Sequence, residues 1–147
     1  MRTLGTMLTA AALAAALGCS EQSGPSRPPV PPPPPSLTAD VKVRDQAGAA
    51  GPFALSATSS LSVEVSIAGA EPGSHGARID ILTPRGTLYA QFQGTIEVGA
   101  DGTGRIARVL EVRGTPIDQF GQVGAWRFVL ALGEQAALAT AEVGLVE

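Results

Sequence analysis

Residues 61–67 read Leu-Ser-Val-Glu-Val-Ser-Ile, a strict alternation of apolar and polar side chains and the clearest structural signal in the chain. A β-strand points successive side chains to opposite faces, so this segment predicts a strand with one buried face. Residues 77–81 (Ala-Arg-Ile-Asp-Ile) and 126–132 (Trp-Arg-Phe-Val-Leu-Ala-Leu) repeat the pattern. The three segments together predict an all-β domain.

Turn-forming residues divide the rest of the domain into further short segments of this kind. In chain order, the predicted strands are 41–44, 53–57, 61–67, 77–81, 88–98, 106–112, 126–132 and 135–146. Gly133-Glu134 predicts a tight hairpin before the last strand, because glycine suits the first position of such a turn. No segment shows a helical period with caps. Short strands spaced by turns favour a β-sandwich of about seven strands.

Two of the predicted strands contain an irregular position. Gly94 interrupts the strand 88–98 and predicts a bulge or kink at that point. In the strand 106–112, Arg108 falls on the inward face if the apolar residues on either side of it point into the core. A bulge near Arg108 is therefore expected, because one extra residue would turn its side chain outward.

The last third of the domain resembles the closing hairpin of immunoglobulin-like and fibronectin type III-like bacterial envelope domains. The resemblance rests on the segment Gly124-Ala125-Trp126-Arg127-Phe128-Val129-Leu130, followed by a turn and a final strand over 138–143. It departs from antibody-type domains, which carry two cysteines in the core. It implies an immunoglobulin-like β-sandwich and an adhesive or scaffolding role, without assigning a site.

The N-terminal residues predict a secretory signal peptide over 1–18. Arg2 precedes an almost wholly apolar stretch, which is shorter than the roughly 20 residues of a membrane-spanning helix. Ala16-Leu17-Gly18-Cys19 resembles the lipobox of bacterial lipoproteins, although Ala16 stands where the commonest pattern has leucine. The resemblance implies a signal-peptide helix cleaved before Cys19, a diacylglycerol thioether on that cysteine and an acylated amino end. Two or more acyl chains anchor a protein stably.

Residues 19–39 predict a disordered, proline-rich tether between the acylated Cys19 and a β-sandwich domain at 40–147. Seven of the twelve prolines fall within 28–35, and such a run favours an extended polyproline II spacer. Ser20, where an aspartate would favour inner-membrane retention, resembles the proteobacterial sorting pattern for the outer membrane. The expected location is the outer membrane of a Gram-negative cell, with the domain in the periplasm or at the cell surface.

Charge and cysteine content exclude several classes of protein. The chain has a net charge of −3, and removal of Arg2 with the signal peptide leaves nine basic against thirteen acidic residues. No basic patch stands out, so a nucleic-acid partner is not expected. Cys19 is the single cysteine. No disulfide can therefore form inside the domain, and the fold must be held by its core.

Candidate catalytic and metal-binding residues are few. His75, the single histidine, follows Ser74 in a predicted turn at 71–76, with no third group to orient a nucleophile and its base. Asp101 has one other carboxylate nearby in sequence, that of Glu97, whereas calcium needs several. We therefore expect no enzymatic activity, no cofactor and no metal ion.

Aromatic and apolar side chains are the remaining candidates for binding. Trp126 alternates in phase with the apolar residues that follow it and is expected in the core. Outward positions that would mark a partner surface if they gather are Leu82, Tyr89, Val129 and Leu138.

The sequence thus predicts a non-catalytic envelope lipoprotein that presents an immunoglobulin-like binding or scaffolding module on a proline spacer. The expected partners are the membrane, through the lipid, and another envelope or surface protein. The alternative is an accessory lipoprotein that binds carbohydrate or a small ligand. That alternative predicts a cleft lined by Tyr89 or Trp126.

Overall fold

The computed structural model describes residues 36–147. The predicted signal peptide, Cys19 and the tether as far as residue 35 lie outside the described residues. The elements are β1 (Thr38–Asp45), β2 (Phe53–Ala54), β3 (Ser60–Ala68), β4 (Gly73–Leu82), β5 (Leu88–Val98), β6 (Thr103–Glu111), α1 (Pro116–Gln119), β7 (Gly124–Leu132) and β8 (Gln135–Val146). The first strand thus includes the last two residues that the sequence analysis assigned to the tether.

The eight strands form two packed layers that are joined at one edge. Hydrogen-bonded neighbours follow the order β1-β3-β6-β5-β4-β7-β8-β2, but β5 and β6 pair only at Val98 and Gly104. Beyond that pair the strands diverge, which leaves β1-β3-β6 as one layer and β5-β4-β7-β8-β2 as the other. All neighbours are antiparallel except β2 and β8. This is the arrangement of an immunoglobulin-like β-sandwich, as predicted.

The core between the layers consists of the alternating apolar residues that the sequence predicted. The largest side chains that are less than 2% exposed are Trp126, Phe128, Leu61, Ile79, Ile81, Ile96, Ile117, Leu130, Leu145, Val63, Val65 and Val112. The predicted hairpin between β7 and β8 is confirmed, with Gly133 at φ +55° in its turn. Apolar burial on this scale is the main stabilising term for a domain without a disulfide among its described residues.

The predicted bulge near Arg108 is wrong. β6 pairs with β3 in unbroken register over 103–111, and Arg108 points inward between Ile106 and Leu110. A charged side chain is tolerated there because β5 and β6 diverge at this edge, so that Arg108 stays half-exposed in the opening between the layers.

The predicted kink at Gly94 is also wrong, and the irregularity lies at Tyr89. β4 and β5 keep a regular register past Gly94 and shift only between Ile81 and Leu82. The extra residue on β5 is Tyr89, whose ring turns towards the core. It meets Trp126 edge-on, with the ring centroids 5.2 Å apart. Such a contact is a favoured geometry for two aromatic rings.

The helix α1 is absent from the sequence prediction. Thr115 caps it by accepting a hydrogen bond from the backbone N–H of Ile117 at 3.3 Å, and Pro116 occupies its first turn. Ile117 is fully buried and fixes the helix to the core. The helix has four residues, and within 36–147 no helix is long and apolar enough to cross a membrane.

Candidate functional site

The candidate catalytic pair lies on β4 rather than in the predicted turn at 71–76. Ser74 and His75 are neighbours on the strand, so their side chains point to opposite faces of the sheet. The Ser74 hydroxyl donates to the Glu97 carboxylate at 2.5 Å, and His75 Nε2 lies 2.7 Å from the carbonyl oxygen of Glu71. These two residues therefore do not form a nucleophile and its base.

Asp101 closes the turn between β5 and β6. Its carboxylate accepts hydrogen bonds from the backbone N–H of Thr103 at 3.0 Å and from the Thr103 hydroxyl at 2.9 Å. The backbone bond first, and the hydroxyl bond second, favour the charged form and hold the pKa of Asp101 below its ordinary value. Across residues 36–147, no three His, Cys, Asp or Glu side chains are grouped so that they could hold a metal ion.

The four apolar residues predicted on outward positions do not gather into one exposed surface. Tyr89 and Leu138 pack against the core. Leu82 and Val129 are half-buried on the outer face of the β4–β7 pair. The partner surface expected from these residues is therefore not formed.

Trp126 supports the loop that follows α1. Its side chain is 1% exposed, and its Nε1–H donates to the carbonyl oxygen of Gln122 at 3.0 Å. The backbone N–H of Gln122 in turn donates to the carbonyl oxygen of the buried Ile117 at 2.9 Å. The prediction that Trp126 belongs to the core is confirmed. Because Trp126 is buried, it cannot offer a surface on which a sugar would stack. Its indole instead fixes the loop 120–123 through the hydrogen bond to Gln122.

That loop and the β4–β5 turn enclose a groove, which we call the distal groove. It has a volume of about 490 Å³ and is formed by residues 83–87 and 120–123. Phe120 is 74% exposed at its rim and Val123 is 38% exposed, while Arg85 contributes a cation. An exposed phenylalanine beside a second apolar residue is the kind of feature that marks an interaction surface.

The distal groove lies at the end of the sandwich opposite the end where the described chain begins. Ser36 packs against Gly69, just after β3, where a Cβ would lie only 2.5 Å from the Ser36 carbonyl oxygen. β4 starts at this end and runs for ten residues to Leu82, beside the groove. Ten strand residues span roughly 30 Å. The chain thus enters one end of the sandwich, and the groove occupies the other.

Sequence reasoning missed Phe120 as a surface residue. The dipeptide Thr115-Pro116 is a recognisable helix start and would have placed a turn of helix before it. The segment after the helix has no alternation, so its pattern does not say which side chains face solvent. The exposure of Phe120 follows from the buried Ile117, which fixes the orientation of the short helix.

Comparison with known proteins gives weak structural likenesses. No protein-family model matches the chain, and no curated protein matches it. The CARDB domain of a Pyrococcus furiosus protein, solved in complex with di-metal ions, aligns at a TM-score of 0.46 and 19% identity, over 76% of this chain and 89% of that one. Bifidobacterium dentium β-glucuronidase, complexed with coumarin-3-O-glucuronide, aligns at 0.43 and 15% identity, over 76% of this chain and 17% of that one. Neither likeness carries a metal site or a substrate to this protein.

Proposed function

We propose that this protein is a non-catalytic, lipid-anchored module of the cell envelope that binds another envelope or surface protein through the distal groove. The observation that carries the proposal is that the chain entry and the groove lie at opposite ends of the domain. The chain enters beside Gly69, whereas Phe120 is exposed at the opposite end, roughly 30 Å away. The groove therefore lies at the end of the domain far from the point where the tether would attach.

The anchor and the spacer complete the proposal. Acylation of Cys19 would fix the amino end in the membrane, and Ser20 favours the outer membrane. A proline-rich segment of about twenty residues in polyproline II conformation can hold a domain on the order of 50 Å from its anchor. At that distance, the distal groove would be within reach of partners beyond the layer next to the membrane.

The groove fits a protein surface with an apolar side chain next to a carboxylate. Phe120 and Val123 offer the apolar contact, and Arg85 faces the same space. Burial of a phenylalanine side chain contributes about 1.5–3 kcal/mol, and aromatic residues often carry a large share of the binding energy at interfaces. A non-catalytic role is supported by Ser74 and His75, which project from opposite faces of β4.

Photo-crosslinking in intact membranes tests this proposal. A photoreactive phenylalanine analogue at position 120 should yield one discrete crosslinked species. The same analogue at Glu71, which lies in the loop at the entry end, should yield none. Phe120→Ser should abolish co-purification of that species, while the variant remains folded. Equal crosslinking from both positions, or co-purification that survives Phe120→Ser, would contradict the proposal.

Carbohydrate binding is the second candidate, and the same groove favours it. Trp126 and Tyr89 pack in the core, but Phe120 offers an exposed ring beside Arg85 and Gln122, a combination of stacking surface and polar groups. A glycan array probed with the protein and with Phe120→Ala separates the two candidates. Glycan binding that depends on Phe120, without a protein crosslink from position 120, would favour the carbohydrate-binding function.

A further inference from the structure

The outer edge of β5 is open. β5 pairs with β4 along its whole length but with β6 only at Val98 and Gly104. From Leu88 to Glu97, the backbone on the side away from β4 therefore has no strand partner within the described residues. An unpaired row of N–H and C=O groups is a template for another extended chain.

This edge lacks the features that usually protect an outer strand. Residues 88–96 contain no lysine, arginine or proline, whereas charged side chains and prolines commonly prevent strand addition. The other outer strands differ. β1 carries charged residues at Asp40, Lys42, Arg44 and Asp45. β6, which is open on the side facing β5, carries Arg105, Arg108 and Glu111, and β2 is only two residues long. Among the outer strands described, β5 is thus the one that is long and has an edge without these protecting residues.

An unpaired cation lies next to this edge on its inward side. Arg108 reaches from β6 across the opening, and its guanidinium occupies the space where a side chain would stand on Gly94. Its hydrogen bond goes to the neighbouring carbonyl oxygen of Ala107, at 3.0 Å. None of the carboxylates described within 36–147 comes within 4.0 Å of it. A half-buried guanidinium without a carboxylate is a strong site for one.

The outward side of the same edge is polar and ordered. Arg78 pairs with Asp80 at 3.2 Å, and Asp80 accepts a hydrogen bond from the Gln91 amide at 2.7 Å. Gln91 in turn accepts from the Gln93 amide at 2.7 Å. This chain of contacts fixes both glutamines next to the edge. The side-chain carbonyl oxygen of Gln93 has no hydrogen-bond donor among the described residues, so it can accept from an added segment.

We propose that the β5 edge binds an extended acidic segment of a partner protein by strand addition. The segment pairs with Leu88–Glu97 through its backbone, and an inward-facing Asp or Glu beside Gly94 forms an ion pair with Arg108. Backbone pairing supplies affinity and the carboxylate supplies register and selectivity. This site is the open edge and not the distal groove, so the proposal can be tested independently of the function proposed above.

A second copy of the chain is a poorer occupant of the edge. Two β5 strands paired about their midpoint would bring two Arg108 guanidinia to one seam. β5 itself offers a single acidic residue, Glu97, which points outward and already accepts a hydrogen bond from Ser74. Like charges at a shared seam oppose association, whereas a carboxylate from a different sequence neutralises Arg108.

The test uses the chain without its signal peptide, carrying Cys19→Ser so that it stays in solution. The probe is the peptide Thr-Val-Thr-Glu-Thr-Val-Thr, whose inward residues are Val, Glu and Val, and its twin with Gln in place of Glu. Binding is measured by NMR titration of backbone amides. Arg108→Met removes the charge and keeps an apolar stem, and Arg105→Met removes an outward charge from the same strand as a matched control.

The acidic peptide should shift amides along β5, and the Gln twin should bind about tenfold more weakly or worse, as loss of a charge-assisted hydrogen bond implies. Arg108→Met should lose the same factor towards the acidic peptide, and Arg105→Met should bind as the wild type does. The Gln twin tests the ion pair without altering the protein, so the test does not depend on the folding of either variant.

Four results would overturn the proposal. These are equal affinity for both peptides, equal losses in the two arginine variants, shifts confined to the distal groove, and no binding at several millimolar peptide. Self-association that Gln93→Lys abolishes would also overturn it, in favour of a second copy as the occupant.

Discussion

A single methyl group added at Gly104 should weaken the junction between the two layers. Gly104 lies in the one residue pair that joins β5 to β6, and it is buried. A Cβ there would lie 2.5 Å from Cγ2 of Ile96 and 3.0 Å from the carbonyl oxygen of Glu97. Neither atom can yield easily, because one belongs to a stiff β-branched side chain and the other to the backbone. Gly104→Ala must therefore move the strands apart.

The expected cost follows from two opposing terms. Overpacking a well-filled site costs about 1–3 kcal/mol, whereas replacing glycine stabilises by about 0.4–1 kcal/mol because it restricts the unfolded chain. The free energy of unfolding should fall by about 1–2 kcal/mol. For a domain of this size, that loss lowers Tm by roughly 4–12 °C.

Urea and thermal unfolding, followed by the fluorescence of Trp126, measure both quantities. Gly76→Ala is the matched control, because Gly76 also lies on a strand but has nothing within 4 Å of its would-be Cβ. This control should be unchanged or more stable by up to about 1 kcal/mol. A Gly104→Ala protein as stable as the wild type, beside a normal control, would refute the packing described at the junction.

Three further outcomes follow from the core and the turn. Trp126, which is 1% exposed, should give blue-shifted emission that resists acrylamide, and red-shifted, readily quenched emission would place it at the surface. Leu130→Ala should cost about 2–5 kcal/mol by chemical denaturation, whereas Val109→Ala, at a side chain that is 57% exposed, should cost at most about 0.5 kcal/mol. The pKa of Asp101 is lowered by its bonds to Thr103, so its stabilising effect is present at neutral pH and lost as the pH falls through the folded-state value. The advantage of the wild type over Asp101→Ala should therefore shrink below pH 3.8, and a difference that does not change with pH would contradict the bonding.

Alternation predicted the strands and their buried faces well, because it depends only on local geometry. Val63, Ile79 and Phe128 are all buried on the faces expected from period two. The same alternation places Arg108 on the inward face, where the structure has it. The bulge that we expected to turn Arg108 outward is absent from β6. What allows Arg108 to point inward is the divergence of β5 from β6, which depends on how two distant strands pack.

The candidate sites were harder to predict because each joins segments that are distant in sequence. The distal groove needs the turn at 83–87 beside the loop at 120–123, and only the pairing of β4 with β7 brings them together. The edge of β5 is open because β6 pairs with it only at Val98 and Gly104. No periodicity in a single sequence reports either fact, whereas the predicted lipidation of Cys19 rests on a short local pattern.

We propose that a lipid on Cys19 anchors this domain to a membrane. Mass spectrometry of the N-terminal peptide of the protein, purified from the envelope of the cells that make it, tests this most directly. We predict that the mature chain begins at Cys19, with a diacylglycerol thioether on the sulfur and an acyl chain on the amino group. An unmodified N-terminus, or one that begins before or after Cys19, would contradict the account.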